Sequence, residues 1–423
     1  MVAFLFAHLF SVVVAAAAVP TDENANRYRS LETFARALHA LETMYVDPEK
    51  VKEDTIIQNA LKGIVDQLDP HTMLMPKRMF EQLSMDTQGK FGGVGIIVSQ
   101  ERGKLIIIAP MEDTPASRAG IKSGDEIVEI DGKNIEKSKN IEAIDRMRGD
   151  PGSKIKLAIR RKETPELLKF ELVREIVKVK SVRSQDLGKD IVYARISNFQ
   201  EETTRELEDV IKSKKNIAGM ILDLRDNPGG LLDQAVGVSD LFIENGVIVS
   251  TIGRNRDKIE REYAHKRGTH SNFPMITLVN GGSASASEIV AGALQDDERS
   301  LIMGKTTFGK GSVQTIVTLP DGSGLKLTIA RYYTRKGRSI QAKGIKPDLD
   351  VADKAEDALP VQTVATKREA DLKGHIESGD ITDSGAKDNP TLAHEEWPEN
   401  LQKDYMLITA FKYMRRLKTT GSH

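Results

Sequence analysis

The chain has no cysteine, which removes disulfides, thiolate chemistry and cysteine-ligated zinc together and fits an oxidising compartment. Nor does it carry a surplus of either charge. Its 61 Lys and Arg stand against 62 Asp and Glu, a formal net charge of −1, and that balance gives no reason to expect nucleic acid or an anionic membrane surface as partner. No His-x-x-x-His pair or acidic metal spacing occurs, so no cofactor is expected. After residue 19 no apolar run is long enough to span a bilayer.

Residues 1–20 are different. They are almost wholly apolar and close on Ala15-Ala16-Ala17-Ala18 before Val19, at the short edge of a membrane span and with small residues suited to a signal-peptidase cut. A positively charged start is missing. The stretch reads as an export signal, with an uncleaved anchor or a buried helix as alternatives. The remaining composition, 39% hydrophobic and 29% charged, is that of an ordinary globular protein. At 423 residues, two or three units with their own cores are expected.

Residues 21–84 read as helices. Leu31, Phe34, Leu38, Leu41 and Met44 recur at three-to-four spacing, and a second periodic stretch runs from Ile56 to Leu68. Asp47-Pro48 and Asp69-Pro70 mark breaks. Residues 85–177 form a separate strand-rich unit that starts in a glycine-rich turn, Phe91-Gly92-Gly93-Val94-Gly95-Ile96. No Lys-Ser/Thr follows Gly95, so a phosphate-cradling loop is excluded. Residues 178–351 alternate strand and helix: apolar strands at 191–196, 220–224 and 275–279, helices at 203–212 and 232–242. Residues 352–423 turn polar and end in a helix with Leu407, Ala410, Phe411 and Met414 on one face, suited to docking on the core or to subunit contact.

The chemistry concentrates in two stretches. Val279-Asn280-Gly281-Gly282-Ser283-Ala284-Ser285-Ala286-Ser287-Glu288-Ile289 reads as a strand end, a tight turn and a helix start. Small residues let a substrate approach, and helix-start amides can face a developing oxyanion. A serine there needs a base. No histidine follows closely, but Phe308-Gly309-Lys310-Gly311 supplies a lysine, with Gln314 four residues on; a lysine serves when burial keeps its amine neutral. His265 and His270 make a Ser-His-Asp triad formally available, but they lie in a polar segment that reads as an exposed hairpin.

These stretches, with Asp223-Leu224-Arg225-Asp226-Asn227-Pro228-Gly229-Gly230 upstream, resemble the carboxyl-terminal processing, or tail-specific, proteases over roughly residues 30–351. The resemblance implies a mixed α/β multidomain protein: a spiral α/β core of the crotonase–ClpP type, an inserted PDZ domain and helical N- and C-terminal arms. It implies Ser285 as nucleophile, Lys310 as general base and Gln314 as the lysine's support. Gly229 and Gly230, with the amide of Ala286, would form the oxyanion hole. Residues 85–177 resemble a PDZ domain in Ala119-Gly120-Ile121 and Gly124-Asp125-Glu126-Ile127-Val128. Such a domain takes an extended C-terminus by strand addition, here with Phe91, Gly92 and Gly93 around the carboxylate and Val94 and Ile96 lining the groove. Arg148 would couple PDZ occupancy to activation.

The expected partners are unfolded or tail-exposed proteins, further copies of the chain in a dimer or higher oligomer, with residues 21–84 as the dimerisation element or else an intramolecular buttress, and an activating lipoprotein adaptor such as some relatives use. The expected location is the periplasm or cell envelope. A crotonase-type acyl-CoA enzyme and a non-catalytic PDZ scaffold are the rival functions; intact Ser285, Lys310 and Gln314 argue against the scaffold.

Overall fold

The computed structural model describes residues 22–101, 104–135, 143, 146–162, 164–352, 368–377 and 404–420. It divides into two compact units, one ending at Gln67 and one running from Leu68. In the first, α1 (Asp22–Met44) and α2 (Glu53–Val65) flank a 3-10 turn, Pro48–Val51, whose Glu49 amide donates to the Asp47 side chain. Phe34, Ala37, Leu38 and Leu41 of α1 face Ile56, Asn59 and Ala60 of α2 across an open groove of about 390 Å³. Much of the apolar face stays exposed, including Leu31, Phe34, Leu41 and Met44.

The helical arm expected over 21–84 therefore ends earlier. Past Gln67 the chain joins the second unit: β1 (Met73–Met75) pairs antiparallel with β18 (Gly324–Thr334), and α3 (Lys77–Thr87) follows. Asp69 is the reason. Its carboxylate takes the amides of His71 and Thr72 and both the Thr72 and Thr328 hydroxyls, tying this turn to β18.

Residues 90–178 build the strand-rich unit. β2 (Lys90–Gly93) pairs antiparallel with β9 (Glu175–Lys178) and closes it off. The main sheet runs β3 (Ile96–Glu101), β4 (Lys104–Pro110), β5 (Glu126–Ile130), β7 (Lys154–Arg160), β8 (Leu168–Val173), with β6 (Lys133–Asn134) beside β5. A short helix, α4 (Pro115–Arg118), packs with Ile107, Ile127, Ile155, Leu157 and Met147 into its own core. β3 is an edge, with no partner on its outer side among the described strands. Of the helix expected to flank the peptide groove, residues 141–148, residues 141, 142, 144 and 145 lie outside the described residues.

The core sheet carries the order β10 (Val182–Asp186), β11 (Ile191–Ile196), β12 (Gly219–Asp223), β15 (Met275–Val279), β16 (Leu301–Gly304), β19 (Leu349–Asp350), parallel from β11 onward. Both faces are buried, so its strands read as continuous apolar runs. Met220, Leu222, Met275 and Val279 point to one side, toward α5 (Thr203–Lys212), α6 (Leu232–Asp240) and α7 (Ala286–Asp296). Ile221, Ile276, Leu278 and Met303 point to the other, toward α8 (Tyr405–Thr420). Met406, Leu407, Ala410, Phe411 and Met414 are buried there, so the terminal helix docks on the core; each large side chain contributes about 1.5–3 kcal/mol. A second sheet joins β1 and β18 to β13 (Gly246–Gly253), β14 (Ile259–Ala264) and β17 (Ser312–Thr318). The mixed α/β architecture is as expected.

Candidate active site

Three neighbouring parallel strands each end in one of the three motifs. β12 leads into Asp223–Gly230, β15 into Asn280–Ser285, and β16 into the loop that carries Lys310. Their carboxyl ends lie side by side, where α/β sheets gather their sites.

Ser285 stands immediately before α7 with φ 55° and ψ −113°, a left-handed conformation costly for a residue with a Cβ. Glu288 holds it there. This carboxylate is fully buried; its Oε1 accepts from Thr307 Oγ1 (2.5 Å) and Gly309 N (2.7 Å). Its Oε2 accepts from Ser285 N and Lys310 N, both at 2.8 Å. The backbones of the expected nucleophile and base thus meet on one oxygen. Phe308 N also donates to Ser283 O. Burial pushes the Glu288 carboxyl up to about 7, against the pull of its four donors.

Lys310 is partly buried, and burial, with Lys326 as a like charge nearby, lowers its ammonium to about 8; Glu369, Glu288 and Asp69 act in the opposite sense. Its Nζ makes no hydrogen bond or ion pair among the described residues, and none joins it to Ser285 Oγ. The two side chains lie unjoined.

Gln314 departs from expectation. Its Nε2 donates to Ser312 Oγ at 2.8 Å and Thr328 Oγ1 at 3.4 Å, not to Lys310. The register pairs Gln314 with Thr328 across β17 and β18, so its amide is drawn along the sheet.

The oxyanion turn also needs correction. Gly229 packs against the nucleophile: a Cβ added to it would meet Ser285 Cβ at 2.8 Å and Ala286 N at 3.0 Å. Its own amide, however, donates to Asn227 Oδ1 at 2.9 Å and is not free. Asn227 is wholly buried, with Nδ2 on Ile196 O, and its carbonyl takes Ala284 N and Ser287 Oγ. The amides of Gly230 and Ala286 have no acceptor among the described residues; Ala286, as the first residue of α7, has none within the helix.

Sequence reasoning missed Glu288 as the hub, although a Ser-x-x-Glu capping spacing was its signal. It also missed His71, whose Nε2 lies 2.8 and 2.9 Å from the two oxygens of the buried Glu369. Glu369 takes Gln341 Nε2 as well, and Gln341 Oε1 accepts Gly311 N, next to Lys310. Only Asp-Pro-His-Thr at a turn hinted at this.

His265 is highly exposed and pairs with Asp240. The Ser285 amide is engaged by Glu288 instead. In the strand-rich unit, Phe91, Gly92 and Gly93 are ladder residues of β2 and not a turn, because β9 takes up their backbone. The turn falls at Val94-Gly95, where Gly95 has φ 74°. Val94 sits in the core and Ile96 packs partly buried against it, so Val94 lines no groove. Arg148 directly follows the described helix end at Met147 and lies over the Phe91 ring, 5.5 Å from its centroid.

Among the described residues no group of His, Asp and Glu is placed to hold a metal ion, and no helix is long and apolar enough to cross a membrane. The profile of peptidase family S41 matches residues 190–351, and that of a PDZ domain matches 92–186. The carboxy-terminal-processing protease of Bartonella bacilliformis is 40% identical over 412 residues, 96% of this chain and 93% of that protein. Carboxy-terminal processing protease CtpA of Bacillus subtilis is 36% identical over 304 residues, 71% of this chain and 65% of that protein. A solved photosystem II D1 C-terminal processing protease is 28% identical with a TM-score of 0.46, over 76% of this chain and 92% of that one.

Proposed function

We propose a mechanism from the premise that the chain belongs to peptidase family S41, as a PDZ-bearing carboxy-terminal processing serine protease. Ser285 is the nucleophile and the neutral amine of Lys310 its base. Ser285 Oγ attacks the scissile carbonyl as Lys310 Nζ takes its proton, and Nζ then protonates the leaving amine. The amides of Gly230 and Ala286 receive the oxyanion; loss of one such donor costs roughly 3–4 kcal/mol of barrier. Water then cleaves the acyl-enzyme by the reverse proton route. Gln314 acts through Ser312 and the sheet and not by a bond to the lysine.

The observation that carries this reading is Glu288 Oε2, which takes the amides of both Ser285 and Lys310. The backbones of the two residues are thereby held to one oxygen. We read the unjoined state of their side chains as a resting enzyme, closed by substrate on the PDZ domain or by an adaptor. The open edge of β3 suits the capture of an extended tail. Substrates would be exported proteins with unfolded or exposed C-termini, met in the cell envelope; residues 1–20, the segment that suggests export, lie outside the described residues. The exposed apolar face of α1 and α2 suits a second copy of the chain.

The test is cleavage of unfolded β-casein by wild type, Ser285→Ala, Lys310→Ala and Gln314→Ala. Turnover should vanish in the first two variants and fall by less in the third. Activity that survived Lys310→Ala but was lost in His71→Ala or His265→Ala would move the base elsewhere.

A further inference from the structure

The turn that supplies Gly230 hangs from Arg225, and Arg225 is held from two sides. On one side lies Asp223, fully buried at the end of β12. Its carboxylate takes Arg225 N (2.9 Å), Nε (3.0 Å) and Nη2 (2.7 Å), together with the Tyr193 hydroxyl (2.7 Å) and Arg195 Nη1 (3.2 Å). On the other side lies Asp404, 179 residues away in sequence, which receives Nη1 at 2.8 Å and Nη2 at 2.7 Å as a bidentate pair. Arg195 Nη2 closes the arrangement on the Arg225 carbonyl at 3.1 Å.

Asp404 does more than pair. It caps α8, with Oδ1 accepting Leu407 N at 3.0 Å and its carbonyl accepting Ile408 N at 3.0 Å. That helix lies beneath β12 and β15, and Met414 occupies the space a Cβ on Gly219 would need. The position of α8 is thereby transmitted to one guanidinium. Beyond it the chain enters Asp226 at φ 56°, stapled to Asn280 through its amide and carboxylate at 3.0 Å each, and reaches Gly229 and Gly230 within four residues.

From this geometry we infer that Asp404 is a positioning residue for catalysis: by fixing Arg225 it holds the turn that carries Gly229 against Ser285 and presents the Gly230 amide, so that the C-terminal helix is a working part of the active site. The inference rests on the oxyanion role proposed above for Gly230. Without Asp404, Nη1 of a buried arginine has no acceptor left among the described residues, and Asp223 alone holds the guanidinium, so the turn loses one of its two anchors.

Asp404→Asn is the informative variant, since asparagine still caps a helix but removes the charge and half of the bidentate pair. Full-length wild type, Asp404→Asn and Phe411→Leu, a packing change on the same helix, are compared on β-casein turnover, on binding of acetyl-trialanine aldehyde by calorimetry, and on thermal melting. For Asp404→Asn we expect kcat to fall at least tenfold with KM within threefold, aldehyde affinity to fall by a similar factor, and melting to change little. Phe411→Leu should melt earlier yet keep its kcat when folded. Unchanged kcat and aldehyde affinity in Asp404→Asn, or losses that follow melting temperature in both variants, would overturn the inference. An active wild type with an inert Ser285→Ala would leave the protease reading intact in that event.

Discussion

At the scale of single residues, the decisive quantity is the proton on Lys310. A lysine that titrates near 8 is mostly charged at neutral pH, and in the proposed mechanism only its neutral form accepts the Ser285 proton. The sign follows directly: kcat/KM should rise with pH through about 8. Lys326 lowers Lys310 as a like charge, so Lys326→Met should move this acid limb to higher pH. Glu288, pushed up to about 7, also favours activity at higher pH, because a proton on it would displace one of four donors. The Lys326 variant tests the lysine, on which Lys326 acts directly as a like charge. Kinetics across pH 6–10 check this; a limb that stays in place in Lys326→Met would refute the electrostatic account.

Elements come together through shared carboxylates rather than through direct contact of reacting groups. Glu288 joins the start of α7 to the Lys310 loop, and each of its oxygens accepts twice. An ionised carboxylate accepts all four donors at once. Glu288→Gln keeps the shape but turns an NH₂ toward two donors, leaving about 2–6 kcal/mol of unmet hydrogen bonding at roughly 1–3 kcal/mol each. We expect a lower melting temperature and a large loss of kcat, read from thermal melts and turnover on the same preparation; wild-type values for both would show that the hub is dispensable.

For the whole molecule, the two units make a separable prediction. Residues 68–423 contain every group invoked in catalysis, whereas residues 22–67 expose Leu31, Phe34, Leu41, Met44 and Ile64, an apolar face suited to a second copy. Deleting residues 1–67 should abolish self-association in sedimentation equilibrium while the remainder stays folded by circular dichroism. A truncated chain that still associates would assign the contact to the larger unit. Much of this organisation was legible beforehand. The strands at 191–196 and 275–279 and the helix at 203–212 have the expected bounds, because a sheet buried on both faces writes unbroken apolar runs into the chain. The stretch 68–75 was not, since Asp69 acts on Thr328 some 259 residues later.

The sequence by itself determined the family and the order of the motifs and pointed to Ser285 and Lys310 as the proposed nucleophile and base, since glycine turns, small residues and strand runs are local signals. Tertiary structure alone decided what those residues touch. It took the Gly229 amide away with Asn227, sent Gln314 to Ser312, buried Val94, and put Glu288 and Asp404 at the supports of the site. Hydrogen bonds between residues far apart in the chain depend on which strands become neighbours, and no local pattern encodes that adjacency.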